Sequence, residues 1–507
     1  MIRGGIDRAS SPRDQPERAL GAAGRLVTAT SGPAFWWAAA AVATLGGAAA
    51  GLHLPTSGDS FVHIATGRIL EARGFLGSSS FMAGPGSPLD LRSWLLDLGL
   101  AHLYSLGGVA ALELLAALIG AATGVLVLLA IRLAGRAHPV MVMICLGLAL
   151  AALDPAITSL PAAVMALLAA GSLVCLMALR RGERWAPWAL LAVVVIWAQV
   201  DSFVVVVAPL LALVLLFCER RRGNPEPWLL ALGVVAASCL NPRGPLIYSW
   251  IPYSLGMLGE HPLLPLFSSP DFHPWGARLS ELTALALLLG YLVAGKGAGR
   301  WQGLLAMATA VMALVWSAYL PLFLVVAATQ SAILLSHFAQ RLATDHPGPE
   351  RPPISQRSLL LAAVIPVLLT VALLGRAALQ AEGSGGPKGQ LASLLPVAAS
   401  SWLQAHPGPG VWYTTPDFGD YLAAADPMGG RLVCTSDPVA DGGPRMVACQ
   451  ELAVLNQGAL QVLARLGART AVLPVAAPEV AFLEAQGWGI RYRDAVTVVL
   501  TAPPRVR

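Results

Sequence analysis

The sequence predicts a polytopic α-helical membrane protein with a small α/β domain outside the membrane at its C-terminal end. Three observations predict this. Of the 507 residues, 56% are hydrophobic and only 12% charged, where soluble domains carry about 25% charged residues. The apolar residues gather in a succession of long runs. The basic residues gather in short clusters between those runs, the pattern of loops in an integral membrane protein. The same composition excludes a soluble cytosolic enzyme, a disordered chain and a nucleic-acid binder working through a basic face, despite a net charge of +5.

Residues 1–32 form a polar tail with Arg3, Arg8, Arg13, Arg18 and Arg25. The apolar run 33–52 is long enough to span a bilayer, and no small-residue cleavage pattern follows it, so it reads as a retained anchor. A mixed segment, 53–108, comes next. Apolar runs then lie near 109–131, 139–153, 160–179, 187–199, 203–218, 227–240, 279–295, 302–317, 319–336 and 358–375, for about eleven spans, several shorter than the ~20 residues of an upright helix. The positive-inside rule sets the orientation. With the N-terminus in the cytoplasm, eighteen basic residues lie inside and five (Arg68, Arg73, Arg92, Arg243 and Arg278) outside. The loop 53–108, the loop 241–278 and everything after 376 then face outward.

The end of the chain changes character. Residues 376–390, with the run GSGGPKG, read as a flexible linker. Residues 391–507 read as an α/β domain, with helices at 398–405, 450–466 and 479–486 and strands at 411–413, 431–434, 470–474, 490–492 and 496–500. Cys434 and Cys449 lie in this region, where a disulfide is feasible outside the cytoplasm. Cys145, Cys175, Cys218 and Cys239 lie in apolar runs and behave as small hydrophobes. There is no Cys-x-x-Cys pair or Cys/His cluster suggesting zinc. Lys296 and Lys388 are the only lysines, and Ala and Gly abound, as in a GC-rich bacterial genome. The expected location is the cytoplasmic (inner) membrane of a bacterium.

The outer loop 53–108 is the most informative stretch. Asp59 stands before a helix-period segment, 61–72, whose Ile64, Ile69 and Leu70 are expected to lie toward lipid. A second amphipathic helix follows over 94–106. Two interfacial helices joined by a Gly/Ser/Pro turn would form a ledge at the outer surface.

Asp59, Phe61, His63 and the run Ala65–Thr66–Gly67–Arg68, followed by a tryptophan–leucine helix leading into the second span, resemble the bacterial GT-C-type membrane glycosyltransferases, relatives of the aminoarabinose and protein O-mannosyl transferases. The resemblance continues in Trp197–Ala198–Gln199, in Asn241–Pro242–Arg243–Gly244, in Pro270–Asp271–Phe272, in Tyr319–Leu320–Pro321–Leu322–Phe323 and in Pro416–Asp417–Phe418–Gly419–Asp420–Tyr421–Leu422. It implies a GT-C-like core over 33–375 and inverting transfer of a sugar from a polyprenyl-phosphate carrier to a lipid, glycan or protein acceptor at the outer face. By family position Asp59 is the candidate base, and His63, Arg68, Arg243 and Arg278 are the candidate substrate-binding residues, the arginines for the phosphate. It implies the lipid-linked donor and the bilayer as partners, with no nucleic acid. It names no certain cofactor and no metal ligand, and leaves a divalent metal open.

Each candidate has a plainer reading. Asp59 suits a helix N-cap, and both roles can coexist. His63, four residues on, shares its helix face as a metal pair would, and also fits an ordinary interfacial histidine. Arg243 in NPRG suits a helix end that snorkels to headgroups. Glu113, inside the second span, is a functional candidate close enough to the outer end to reach water. Asp201 reads as a solvated turn residue, and Asp437 and Asp441 as turn formers.

The chain also departs from the family, with Ser60–Phe61–Val62 in place of a tryptophan-rich stretch and Gln199, Val200 and Asp201 in place of Asn and His–Gly. These departures keep alternatives open. One is a catalytically inactive GT-C-like scaffold or lipid-linked-sugar binder. Another is a transporter or flippase, for which the short runs near 187–218 are the only cue.

Overall fold

The computed structural model describes residues 33–52, 58–84, 89, 91–135, 138–156, 159–217, 226–251, 269–271, 273, 275–294, 299–345, 356–383, 387–455 and 458–503. The polar tail 1–32, Arg136, Cys218, the arginines at 220–222, Lys296, Arg351 and residues 252–268 of the loop 241–278 lie outside the described residues.

Helices occupy every apolar run. They are α1 (Pro33–Gly51), α2 (Asp59–Arg73), α3 (Trp94–Ala134), α4 (Pro139–Ala156), α5 (Leu160–Arg181), α6 (Ala186–Val200), α7 (Val204–Leu216), α8 (Pro227–Ser238), α9 (Trp275–Ala294), α10 (Arg300–Val315), α11 (Leu320–Asp345) and α12 (Gln356–Gly383). Among the described residues four stretches, Pro33–Gly51, Trp94–Ala134, Leu160–Arg181 and Ser317–Ala339, are long and apolar enough to cross a membrane. Six shorter apolar helices accompany them. Along α3, Leu114, Leu118, Val125 and Leu129 form an exposed apolar stripe, and Leu282, Leu285, Leu289 and Leu292 do the same on α9. Stripes of that length on a helix bundle belong against hydrocarbon rather than water. The chain is an integral membrane protein.

Two local devices shape the bundle. In α3 the backbone leaves helical geometry at Gly108 (φ 59, ψ −143), which separates an amphipathic first part from the apolar run after it. Gly47 and Gly51 of α1 meet Gly120 and Ala116 of α3, and Ala43 meets Gly124, so closely that a Cβ added at Gly47 would stand 2.2 Å from the Gly120 carbonyl oxygen. Small residues four apart on both helices let the backbones touch, the packing that substitutes for a hydrophobic drive within lipid.

Arg132 and Arg181 sit near one end of the bundle. The Arg181 guanidinium donates to the Arg132 carbonyl at 3.0 Å, and Arg132 lies 5.3 Å from the Trp36 ring centroid. At the opposite end the chain builds a second layer from α13 (Pro387–Leu394), α14 (Val397–Ala405), β1 (Val411–Thr414), α15 (Pro416–Ala425), β2 (Leu432–Val433), α16 (Pro438–Ala453), α17 (Ala459–Leu466), β3 (Ala468–Pro474), α18 (Pro478–Ala485), β4 (Gly489–Arg493) and β5 (Thr497–Thr501). The strand order is β2-β1-β3-β5-β4. β1 pairs parallel to both neighbours, and β5 pairs antiparallel to β3 and β4. Cys434, just past β2, is disulfide-bonded to Cys449 of α16.

The structure differs from the sequence expectations in several places, among them Asp441, expected in a turn and placed within α16. The run 450–466 is two helices, because Leu455 takes a left-handed conformation (φ 47) and Gly458 starts α17 anew. Helix α12 continues to Gly383 and α13 begins at Pro387, so helix occupies most of the stretch expected as linker; alanines and leucines over 377–381 favour that state. Finally, α2 is no lipid-facing ledge. Phe61, Ile64 and Ile69 are fully buried and Leu70 is 5% exposed, because α2 lies between α3 and α15.

Candidate functional site

The C-terminal layer is fastened to the first outer loop by backbone and side chain together. Met82 forms a parallel bridge to Leu432. The Leu432 and Arg431 amides donate to the Phe81 carbonyl at 3.0 and 3.1 Å, and the Ala83 amide donates to the Leu432 carbonyl at 2.9 Å. The Gly58 amide donates to Asp417 Oδ1 at 2.7 Å, and Phe61 packs edge-on against Tyr421 at 5.2 Å. Where the two parts meet lies a cavity of ≈ 100 Å³ lined by Asp59, Val62, His63, Thr66, Arg92, Ser93, Asp97, Pro161, Val200, Asp201, Ser202, Phe203, Trp250, Ser436 and Asp437.

One wall is a row of charge. His63 Nδ1 lies 2.5 Å from Asp97 Oδ1, and His63 Nε2 lies 4.0 Å from Asp59 Oδ1. Asp97 is 1% exposed and also accepts from Ser93 Oγ at 3.2 Å. Burial by itself would lower the His63 pKa, but the Asp97 carboxylate bonded to its ring, with Asp59 and Asp437 further off, outweighs burial and raises it to about 10. At neutral pH His63 is therefore an imidazolium. Asp59 is the first residue of α2, with Gly58 at the cap position. Among the described residues no hydrogen bond commits its carboxylate to the helix end.

Asp201 and Arg92 also line the cavity. Asp201 is 6% exposed. It accepts from Trp197 Nε1 at 3.0 Å and from the Phe203 amide at 2.9 Å, and burial pushes its carboxyl up to about 6. The expected solvated turn residue is thus a buried one. Arg92 is 5% exposed, with its guanidinium 3.7 Å from the Trp250 ring centroid. A desolvated contact of this kind contributes about 2 kcal/mol.

The motifs that carried the resemblance knit this site together. Trp94 Nε1 donates to Gln199 Oε1 at 2.7 Å, Gln199 in turn donates to the Leu240 carbonyl, and Asn241 Nδ2 donates to the Ala198 carbonyl. Phe203 packs against Tyr319 at 4.9 Å.

Of the five candidate site residues, Asp59 and His63 line the cavity, and Arg68, Arg243 and Arg278 do not. Arg68 donates to the Ala424 carbonyl at the end of α15 and lies 5.5 Å from the Tyr104 ring centroid, so it ties α2 to the outer layer. Arg243 sits half-buried in the turn after α8, its amide donating to Asn241 Oδ1 at 2.9 Å. Arg278 is exposed in the first turns of α9, beside Asp271. Glu113 is half-buried just past the Gly108 kink and does not line the cavity. The cation present is Arg92, which sequence reading counted only among the outer basic residues. Its signal was its place two residues before Trp94, at the start of the second loop helix.

Four aspartates (59, 97, 201 and 437) against one arginine and one histidine make the cavity acidic on balance. Among the described residues, however, no three His, Cys, Asp or Glu side chains group closely enough to hold a metal ion.

No family model and no curated protein sequence matches the chain. Among solved structures the chain is similar to ArnT from Cupriavidus metallidurans bound to undecaprenyl phosphate, at 15% identity and a TM-score of 0.45, over 93% of this chain and 98% of that one. It is also similar to the Archaeoglobus fulgidus oligosaccharyltransferase in complex with Zn and sulfate, at 14% identity and a TM-score of 0.44, over 88% of this chain and 69% of that one.

Proposed function

We propose that the protein is an inverting glycosyltransferase that moves a sugar from a polyprenyl-phosphate carrier to an acceptor hydroxyl at the outer face of a bacterial inner membrane. In this reading the N-terminus is cytoplasmic, the bundle has about eleven spans and the C-terminal layer is extracytoplasmic. One observation carries it: a carboxylate with no capping bond among the described residues, Asp59, shares a cavity with the half-buried His63 and the buried Arg92, at the bundle end away from Arg132 and Arg181.

The chemistry follows from those positions. Asp59 takes the proton of the acceptor hydroxyl. The acceptor oxygen bonds to the anomeric carbon from the side opposite the phosphate, and the bond from that carbon to the phosphate oxygen breaks with its electron pair going to the phosphate. Configuration inverts. Arg92 and the His63 imidazolium offset the charge that grows on the leaving phosphate, and Asp97 fixes which nitrogen of His63 faces Asp59. Typical ligand pockets measure about 300–1,000 Å³. A cavity of ≈ 100 Å³ would therefore admit the reacting centre, with the prenyl chain outside it along the bundle.

The test is label transfer from a panel of radiolabelled polyprenyl-phosphate sugars by the full chain in native lipids, with Asp59→Asn alongside. The expected result is turnover by the wild type that falls by about 10²–10⁴ in the variant, the usual share of a general base. Saturable donor binding with no turnover by either protein would replace the enzyme with a binder of lipid-linked sugar.

A further inference from the structure

The C-terminal layer does more than cover the cavity: it supplies two of its lining residues, Ser436 and Asp437. They lie on a short stretch anchored at several points. Cys434 is tied covalently to α16 and holds a left-handed backbone (φ 73). Thr414 Oγ1 donates to the Cys434 carbonyl at 2.8 Å. The Ser436 amide donates to Asp420 Oδ1 at 2.8 Å, and the Asp437 amide to Thr435 Oγ1 at 3.3 Å. Asp420 is fully buried, so it holds the stretch from beneath. Such a stretch is pre-organised rather than adaptable.

Held this way, the Ser436 hydroxyl lies buried beside the Asp420 carboxyl at the cavity wall, and among the described residues it makes no hydrogen bond of ordinary geometry. A buried hydroxyl without a well-formed bond is costly in a native fold, and at a cavity wall a bound group that accepts and donates hydrogen bonds removes that cost. Asp437 directly precedes α16, a position that suits Asp on capping grounds alone. Ser436 therefore carries the inference, with Asp437 as a neighbouring acceptor.

We infer that Ser436, with Asp437 beside it, forms a subsite for sugar hydroxyls, so that the C-terminal layer selects substrate at the cavity instead of merely roofing it. This rests on the glycosyltransferase reading. The hydroxyls can belong to the transferred sugar or to a glycan acceptor.

The experiment measures binding and turnover of the full chain in lipid nanodiscs for wild type, Ser436→Ala, Ser436→Thr and Asp59→Asn. The binding probes are undecaprenyl phosphate and the same lipid carrying glucose, mannose, galactose or arabinose. If the subsite holds the donor sugar, the wild type prefers one sugar-bearing lipid over the bare lipid. Ser436→Ala then loses about tenfold of that preference with bare-lipid affinity unchanged, and Ser436→Thr, which keeps the hydroxyl, retains it. If it holds the acceptor, donor preference stays and the acceptor KM rises about tenfold at unchanged kcat. Melting temperature and thiol titration confirm that the variants keep the fold and the disulfide. The inference is overturned if Ser436→Ala moves neither quantity while Asp59→Asn still lowers turnover, the result expected when a water or Asp420 satisfies the hydroxyl. If the wild type binds no lipid of either kind, the underlying reading falls and the subsite with it.

Discussion

An imidazolium bonded to Asp97 and facing Asp59 ties the stability of the fold to pH. The His63 pKa stands near 10 in the folded protein against about 6.5 unfolded. The pair's stabilisation is therefore fully present below pH 6.5 and is lost as pH rises through about 10. The melting temperature of the detergent-purified protein should fall by several degrees over that interval, and His63→Gln, which donates without charge, should flatten the profile. His63→Leu should do worse than His63→Gln at every pH. It takes the imidazolium away from the buried Asp97 and leaves that carboxylate with neutral donors such as Ser93, and removing one partner of a buried pair costs about 3–5 kcal/mol. An equal melting temperature for the two variants at pH 7 would sink this account. At this scale the resemblance singled out Asp59 and His63, four residues apart on one helix, and both line the cavity. Asp97 and Arg92 were printed in the same loop, but nothing local says that a residue 34 positions from His63 is its partner. That pairing comes from α2 packing on α3.

The helices were the most legible elements, since apolar runs bounded by arginines leave the chain little else to be. What the runs do not announce is which helices touch. The small residues Ala43, Gly47 and Gly51 facing Ala116, Gly120 and Gly124 are visible in the sequence as two four-residue periods, yet Ala and Gly are so common here that the pattern does not stand out. Its weight can be measured. Gly120→Leu should push α1 and α3 apart and destabilise the bundle by about 1–3 kcal/mol, the usual range for overpacking. By contrast, Gly375→Ala on α12, where an added Cβ meets nothing within 4 Å, should be neutral or slightly stabilising on propensity grounds. Thermal unfolding of the two variants side by side checks the contrast. Helix α2 was misread for the opposite reason: its amphipathic period is real, but its apolar face meets protein on both sides instead of lipid.

Over the whole molecule, the strands of the C-terminal layer could be read from alternation, and its docking could not, because docking rests on single contacts such as Gly58 to Asp417 and Arg68 to Ala424. The disulfide closes a loop of sequence separation 15, for which the chain-entropy account gives about 3 kcal/mol. Cys434→Ser with Cys449→Ser should thus lower the unfolding temperature of this layer, and should also raise the donor or acceptor KM, since Ser436 hangs two residues from the bridge. Limited proteolysis after reduction reads the first effect. A cut pattern unchanged by reductant would show that the bridge is dispensable.

The backbone pairing of Phe81–Ala83 with Arg431–Leu432 has a practical consequence. β2 is the last strand of its sheet, and the loop from the membrane part is what shields its outer rim. A fragment spanning 391–503 would leave that rim bare, and bare rims recruit copies of themselves. Expressed alone, the fragment should self-associate in light scattering. The same fragment with residues 74–84 supplied as a tethered peptide should scatter as a single species.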